Sequence, residues 1–121
     1  MMISIGYVLL IALIHFIGDF IFQTDEMSRN KSTSIYWLSL HVLVYSLITT
    51  MGWAAISLVP VVLFKVFILT YITHWCTDFV TSKLTGYLYQ KGDIHNFFVV
   101  IGIDQFIHLT TLMLTYNYLI N

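Results

Sequence analysis

The sequence predicts an all-α integral membrane protein, a bundle of four transmembrane helices with both chain ends outside the cell. Of the 121 residues, 59% are hydrophobic and only 9% are charged, far from the balance of soluble proteins. The apolar residues also fall into four runs, each long enough for a spanning helix of roughly 20 residues. A chain of this length holds one domain at most, so residues 1–121 are predicted to form a single transmembrane domain.

The four predicted spans cover residues 3–22, 35–56, 60–81 and 96–118. The first has no basic residue before its apolar run and no evident small-residue cleavage site after it, so it is expected to be a retained helix rather than a signal peptide. The third begins at Pro60, a residue suited to the first turn of a helix. Polar loops are predicted at 24–34 and 82–95.

Basic residues orient the bundle. The two polar loops carry Arg29, Lys31, Lys83 and Lys91, whereas the opposite side has at most Lys65. The positive-inside rule therefore places both loops in the cytoplasm. The net charge of -1 excludes nucleic acid as a partner, because phosphate binding needs clustered cations. The expected partners are the lipid bilayer and a lipid substrate, and a homo-oligomer is left open.

A short internal repeat supports a bundle of two related helical hairpins. The first span contains His15-Phe16-Ile17-Gly18-Asp19-Phe20, and the third contains His74-Trp75-Cys76-Thr77-Asp78-Phe79. Both follow the pattern His, aromatic, two variable residues, Asp, Phe. The repeat predicts a pseudo-twofold axis along the membrane normal.

Ionisable side chains within the spans are the main functional signal, because they are costly in a bilayer and usually serve a function. Three His/Asp pairs have a spacing of four residues, which puts each pair on one helical face. With one further histidine, the set is His15, Asp19, His41, His74, Asp78, Asp104 and His108. Counting ~1.5 Å of rise per residue, the imidazoles and Asp104 lie roughly 9 to 18 Å from the cytoplasmic end of their spans, in one layer.

A divalent metal ion explains this layer best, with zinc the first candidate, because imidazole and carboxylate are good zinc ligands and a cation compensates buried carboxylates. The predicted ligands are His15, His41, His74, Asp78 and His108. Asp19 and Asp104 are predicted to be the catalytic proton acceptors. Seven groups exceed the four ligands of a closed site, which leaves room for outer partners, for two metals, or for a bound water.

Several functions remain open at this point. The leading hypothesis is a metal-dependent hydrolase of a lipid or another membrane-associated substrate, in which the metal activates water. A proton or metal-ion transporter would use the same groups as a relay, although the outer half of the bundle has few polar residues to line a path. A phage-type interaction or hole-forming protein would not need the layer. In the fourth interpretation, the layer consists of structural His/Asp pairs that hold helices together.

The motifs also resemble a known family, the small membrane proteins of bacteria and their phages grouped as domain of unknown function 3307. The resemblance covers nearly the whole chain. It is carried by His15-x-x-x-Asp19-Phe20-x-x-Gln23-Thr24-Asp25, Lys31-Ser32, His41, His74-x-x-x-Asp78 and Asp104-Gln105-x-x-His108. The resemblance implies a bacterial or phage inner-membrane protein, and because the family is uncharacterised it indicates no particular activity. A looser similarity in motif style to membrane-bound metal-dependent hydrolases favours an enzyme by analogy.

Overall fold

The computed structural model describes residues 2–121, and the secondary structure of these residues is entirely helical. Helix α1 continues without a break into one π-helical turn, and four further helices follow. Their bounds are α1 Ile5–Phe16, the π turn Ile17–Ile21, α2 Asp25–Asn30, α3 Ile35–Trp53, α4 Pro60–Lys91 and α5 Ile94–Ile120.

Polar caps fix where four of these helices begin. Ser4, Thr24, Ser34 and Asp93 each accept a hydrogen bond from the backbone N–H three residues further on, which satisfies a donor that has no partner inside the helix. Helix α4 begins instead with Pro60 at its first position, as the sequence predicts.

The two predicted loops are more helical than expected. The segment 24–34 contains α2, and the prediction of a loop over 82–95 is wrong, because α4 continues to Lys91 and α5 starts at Ile94. Apolarity predicts where a helix meets lipid, but a helix satisfies its own backbone and continues into polar sequence until a residue stops it. Gly92, with a φ of 77°, adopts the left-handed conformation that ends α4.

Three helices, α3, α4 and α5, are long and apolar enough to cross a membrane. The first apolar helix is shorter, since the 12 residues of α1 and the 5 of the π turn make 17. At ~1.5 Å per residue it measures ~25 Å, against ~30 Å for a bilayer core. Three of the four predicted spans are thus helices suited to crossing a membrane, and the span over residues 3–22 stays a prediction.

The molecule is apolar outside and polar inside. Ile5, Leu9, Leu13 and Phe16, spaced by three or four residues along α1, are all at least half exposed. The buried residues include as many polar as hydrophobic side chains. A soluble protein rarely exposes so much contiguous apolar surface, so this distribution is the one expected for a protein whose surface contacts lipid.

The packing of the helices places the interior polar groups on facing surfaces. Helix α1 contacts α3 and α5, and α4 also contacts α3 and α5, so α1 and α4 lie diagonally across the assembly. The end of the molecule where α1 begins is filled by an apolar core. That core consists of Ile11, Ile14, Trp53, Val66, Leu112 and Tyr116.

Gly52 gives a test of the packing between α1 and α3. A Cβ at Gly52 would lie 2.5, 2.6 and 2.9 Å from three side-chain atoms of Ile14, so Gly52→Ala forces these helices apart. We expect the variant to lose about 1 to 3 kcal/mol of stability, measured by unfolding of the detergent-solubilised protein followed by circular dichroism. Gly102→Ala is the matched control, because its Cβ meets no atom within 4 Å. Equal stability of the two variants would contradict the close contact.

Candidate metal centre

Four buried side chains from three helical segments converge on one point of the interior. They are Asp19, His41, His74 and Asp78, and each is at most 4% exposed. The Nε2 atoms of His41 and His74 are 3.2 Å apart. Each of these nitrogens also faces both carboxylates: Asp19 Oδ1 at 3.2 and 3.4 Å, and Asp78 Oδ2 at 3.3 and 3.5 Å.

These distances match the edges of a metal-centred tetrahedron. Zinc binds nitrogen and oxygen ligands at ~2.0–2.1 Å, and a regular tetrahedron of that size has edges of ~3.3 Å. The five distances above are 3.2 to 3.5 Å. One ligand atom from each of the four residues lies within 4.8 Å of all the others. The four groups could therefore hold a metal ion.

Each helical segment supplies its ligands for an identifiable reason. His74 and Asp78 lie four residues apart on α4, and they point to the same side of that helix. Asp19 lies in the π turn, which is closed by the hydrogen bond from Phe22 N–H to Ile17 O. A π turn contains more residues than an α turn, so it changes the direction of Asp19, whose Oδ1 faces His41 and His74 while its Oδ2 lies 3.7 Å from His15 Nε2. Turns of this kind are frequent at functional sites.

A second group adjoins the first and shares one carboxylate with it. Asp19, Asp104 and His108 can each offer a ligand atom within 4.8 Å of the others. His108 Nε2 lies 3.2 Å from Asp104 Oδ2 and 2.9 Å from Asp78 Oδ1. The hydroxyl of Thr81 donates to Asp104 Oδ1 at 2.5 Å. Asp19 and Asp78 thus each direct one oxygen into the first group and leave the other on the side of the second.

His15 lies beside these groups and has other partners. Its Nδ1 is 2.6 Å from the hydroxyl of Tyr45, and its Nε2 is 2.6 Å from Gln105 Oε1. The amide of Gln105 also donates to Asp19 at 3.0 Å, and the ring of Tyr45 stacks on His74 with centroids 3.8 Å apart. These contacts fix the orientation of Asp19 and His74. Outer partners of this kind orient metal ligands in proteins.

Lys31, outside the apolar helices, places an ammonium group on the site. Its Nζ donates to Asp78 Oδ2 at 2.9 Å, and the side chain is 18% exposed. Burial alone would lower the pKa of Lys31, but the charges of Asp78 and Asp19 outweigh it and raise the pKa. The ammonium therefore stays charged and partly neutralises the carboxylates. Because Asp78 Oδ2 is one corner of the tetrahedron, the ammonium group would compete with a metal ion for that oxygen.

A cavity of about 360 Å³ lies against the second group, at the end of the molecule that carries α2. Asp19, Asp104 and Gln105 line its inner part, and Arg29 and Lys31 line it from the α2 side. The second group is therefore open to the cavity through two of its three residues. Of the four residues in the first group, only Asp19 lines it.

The structure brings all seven residues singled out in the sequence close together: six of them form the two adjoining groups, and His15 lies beside these groups. Asp19 lies among the predicted metal ligands His41, His74 and Asp78, although the sequence predicts a catalytic role for it. His108 groups with Asp104, and His15 contacts Tyr45 and Gln105. The roles of these residues stay predictions.

Sequence reasoning did not single out Tyr45, Thr81, Gln105 or Lys31 as members of the site. Gln105 and Lys31 could have been found, because both belong to the motifs that carry the family resemblance. Tyr45 lies one helical turn beyond His41, the spacing that puts two residues on the same face. Thr81 lies three residues beyond Asp78, which also puts it on the same face of α4, but its role depends on a contact with Asp104 that spacing does not predict.

Comparison with known families adds one finding. A family model described as "Protein of unknown function (DUF3307)" matches residues 7–121, which is nearly the whole chain, and confirms the resemblance seen in the motifs. No curated protein and no solved structure matches the chain.

Proposed function

The chain belongs to the DUF3307 family, and from the geometry of its buried cluster we propose that it is a membrane metalloenzyme that hydrolyses a membrane-associated substrate. In this proposal α1, α3, α4 and α5 form a four-helix bundle in the inner membrane of a bacterial cell. Both chain ends are outside, and the end that carries α2 faces the cytoplasm, as the distribution of basic residues indicates.

The observation that carries the proposal is the set of tetrahedral edges among four buried ligand atoms. Two imidazoles and two carboxylates, with five of the distances between their ligand atoms at 3.2–3.5 Å, suit zinc in donor type and in size. The Lys31 ammonium compensates only part of the charge of the two buried carboxylates, and a divalent cation would offset the remaining electrostatic cost. We therefore assign Asp19, His41, His74 and Asp78 as the zinc ligands.

Catalysis needs a position open to water, and the second group provides it. Four protein ligands close a zinc site, whereas catalytic sites combine three protein ligands with a water molecule. Asp19, Asp104 and His108 are three such groups, and two of them line the cavity. A second divalent ion there would share Asp19 with the first. Such a metal supplies an activated water at neutral pH.

This assignment gives the chain's own residues definite tasks. Asp19 is shared by the two metal positions. Asp104 either completes the open position or accepts the proton of the attacking water, and Thr81 holds its carboxylate in place. The apolar core at the opposite end closes the cluster from the other side of the membrane, so substrate and water enter from the cytoplasmic cavity.

Metal-dependent turnover tests the proposal. We expect purified protein stripped of metal to release no product from mixed bacterial lipids. Addition of zinc or manganese should restore hydrolysis, which is measured by mass spectrometry of the lipids. Heat-unfolded protein with the same metal is the control for hydrolysis by the metal alone. A fully loaded, folded protein that leaves every lipid intact would overturn the hydrolase proposal and leave the metal site standing.

Transport of a proton or metal ion is the second candidate, and buried hydroxyl groups favour it. Among the residues that the structure describes, the buried side-chain oxygens of Ser46 and Thr70 have no hydrogen-bond partner. Both lie on the stretch of α3 and α4 between the cluster and the apolar core. A path through them would have to cross Trp53 and Val66, which are both fully buried. A transporter should produce a flux of protons or zinc into liposomes that contain the protein, whereas a hydrolase should produce none, so this measurement distinguishes the two candidates.

A further inference from the structure

We propose that the cavity beside the second group binds the terminal phosphate of a membrane lipid, so that the substrate is an anionic phosphate monoester with an apolar tail. This inference rests on the proposed function and names its substrate class. Three independent features of the cavity support it: its charge, its unpaired polar atoms and its apolar rim.

The charge of the cavity favours an anion once metal is bound. Asp19, Asp78 and Asp104 carry three negative charges, which one divalent ion and the Lys31 ammonium balance. Arg29 is then left over on the cavity wall, and within residues 2–121 it makes no hydrogen bond or ion pair. A second divalent ion would raise the excess further. Arg29 alone gives an excess of one positive charge, and a second divalent ion would give three, so a phosphate monoester with its two negative charges falls between these values. Guanidinium groups bind phosphate in a two-pronged geometry.

Lys31 adds to the positive charge that suits the cavity to an anionic ligand. Its Nζ contacts Asp78 Oδ2, the same oxygen that forms one corner of the tetrahedron. A metal ion on that oxygen repels the ammonium group, and the cavity is the space into which Lys31 can turn, because its side chain already lines the wall. Metal binding would thus deliver a second cation to the cavity, next to Arg29.

Two residues that line the cavity each have a buried polar atom without a hydrogen-bond partner within residues 2–121. The hydroxyl oxygen of Ser82 and Oε1 of Gln23 are buried and make no hydrogen bond, and both residues line the cavity. Ser82 is 7% exposed. Buried polar atoms left unpaired are costly, so these two positions point to a ligand with several hydrogen-bonding atoms. The oxygens of a phosphate group meet that need.

The rim of the cavity is apolar on the side that meets lipid. Phe20 and Tyr89 line the cavity and are 48% and 64% exposed, and Phe97 and Ile101 line it nearby. A volume of about 360 Å³ accommodates a phosphate headgroup but not two acyl chains. The chains of a bound lipid would therefore remain in the bilayer beside Phe20, with only the headgroup inside.

The reaction is hydrolysis of the phosphate ester. Oxygen from water forms a new bond to phosphorus, and the bond between phosphorus and the lipid oxygen breaks. One proton of the water passes to the leaving oxygen, so the products are inorganic phosphate and a neutral lipid alcohol. Water is the only co-reactant, and no oxidation or reduction takes place.

The test uses the metal-loaded full-length protein in detergent micelles containing phosphatidic acid, with release of inorganic phosphate as the readout. We expect Arg29→Gln to raise KM about tenfold or more, the usual effect of losing one charge-assisted hydrogen bond. We expect Ser82→Ala to raise KM severalfold. Lys91→Gln is the matched control for loss of one positive charge at the same end of the molecule, since Lys91 lies outside the cavity, and its KM should not change.

Two further substrates test separately whether the acyl chains and the phosphate monoester group are each required. Glycerol phosphate carries the same phosphate group without acyl chains, and phosphatidylcholine carries the chains with a zwitterionic headgroup. The proposal expects turnover of phosphatidic acid alone. Equal turnover of glycerol phosphate would overturn the role of the apolar rim, and equal turnover of phosphatidylcholine would overturn the phosphate monoester class.

Metal content, measured in the same samples, keeps this inference distinct from the proposed function. Full metal loading with hydrolysis of another lipid class, unaffected by Arg29→Gln and Ser82→Ala, would refute the phosphate inference while the proposed function stands. Absence of bound metal would instead refute the proposed function itself.

Discussion

Replacing His74 with alanine should remove most of the bound metal from the protein. His74 supplies three of the tetrahedral edges, to His41, Asp19 and Asp78, and no other imidazole lies on the same face of α4 to replace it. We expect metal content by elemental mass spectrometry to fall from about one ion per chain to about a tenth or less, since binding of structural zinc depends strongly on each of its ligands.

The experiment needs controls, because His74 also stacks on Tyr45 and His108 at 3.8 and 3.9 Å, and alanine leaves a gap there. His41→Ala removes a different ligand from another helix and should lose metal to the same extent. His95→Ala, at an exposed position in the first turn of α5, should retain it. Size-exclusion chromatography and helical circular dichroism establish that each variant is folded. Normal metal content in folded His74→Ala and His41→Ala proteins would refute the assigned site.

Replacing Asp104 with asparagine should separate metal retention from catalysis. Asp104 belongs to the second group, and its side-chain partners within residues 2–121 are Thr81, Gln105 and His108, so the first metal should remain. The variant lacks the carboxylate that either completes the second metal position or accepts the proton of the attacking water. We expect hydrolysis to fall about a hundredfold or more, the scale on which positioned acid–base groups and activated water contribute.

Asp93→Asn is the matched control for loss of one carboxylate from α5. Asp93 caps this helix, and hydrogen bonds from the side chain and backbone of Asn96 lower its pKa. Asparagine is an equally good cap, so both activity and metal content should be unchanged. If Asp104→Asn kept full activity with its metal in place, the second group would have no catalytic role. Loss of the first metal would show instead that the two groups form one inseparable site.

Much of the fold follows from the sequence because lipid imposes simple rules. Runs such as 35–56 and 96–118 are predicted as spanning helices, since an apolar segment in lipid must satisfy its own backbone. The structure places α3 and α5 over nearly the same residues. The prediction fails at 82–95, where α4 extends ten residues past Thr81, because hydropathy measures contact with lipid and not the tendency to form a helix.

The cluster was predictable as a set, but its division into two groups was not. Spacing by four residues places His74 and Asp78 on one face, and depth along each helix brings the histidines to a common level. Neither quantity gives the rotation of a helix about its axis. The π turn at Ile17–Ile21, which follows α1, changes the rotation of the helix at that point. Asp19 therefore faces His41 and His74, and His15 lies between Tyr45 and Gln105.

The sequence by itself thus determined that the chain forms apolar helices and buries a layer of histidines and aspartates, since both follow from residue type and position along a helix. Only the tertiary structure decided which four residues converge, which two further residues adjoin them through the shared Asp19, and where Lys31 and the cavity lie. The physical reason is that a metal site requires agreement within a few tenths of an ångström between side chains from separate helices. That agreement depends on helix rotation and close packing, which no spacing along the chain encodes.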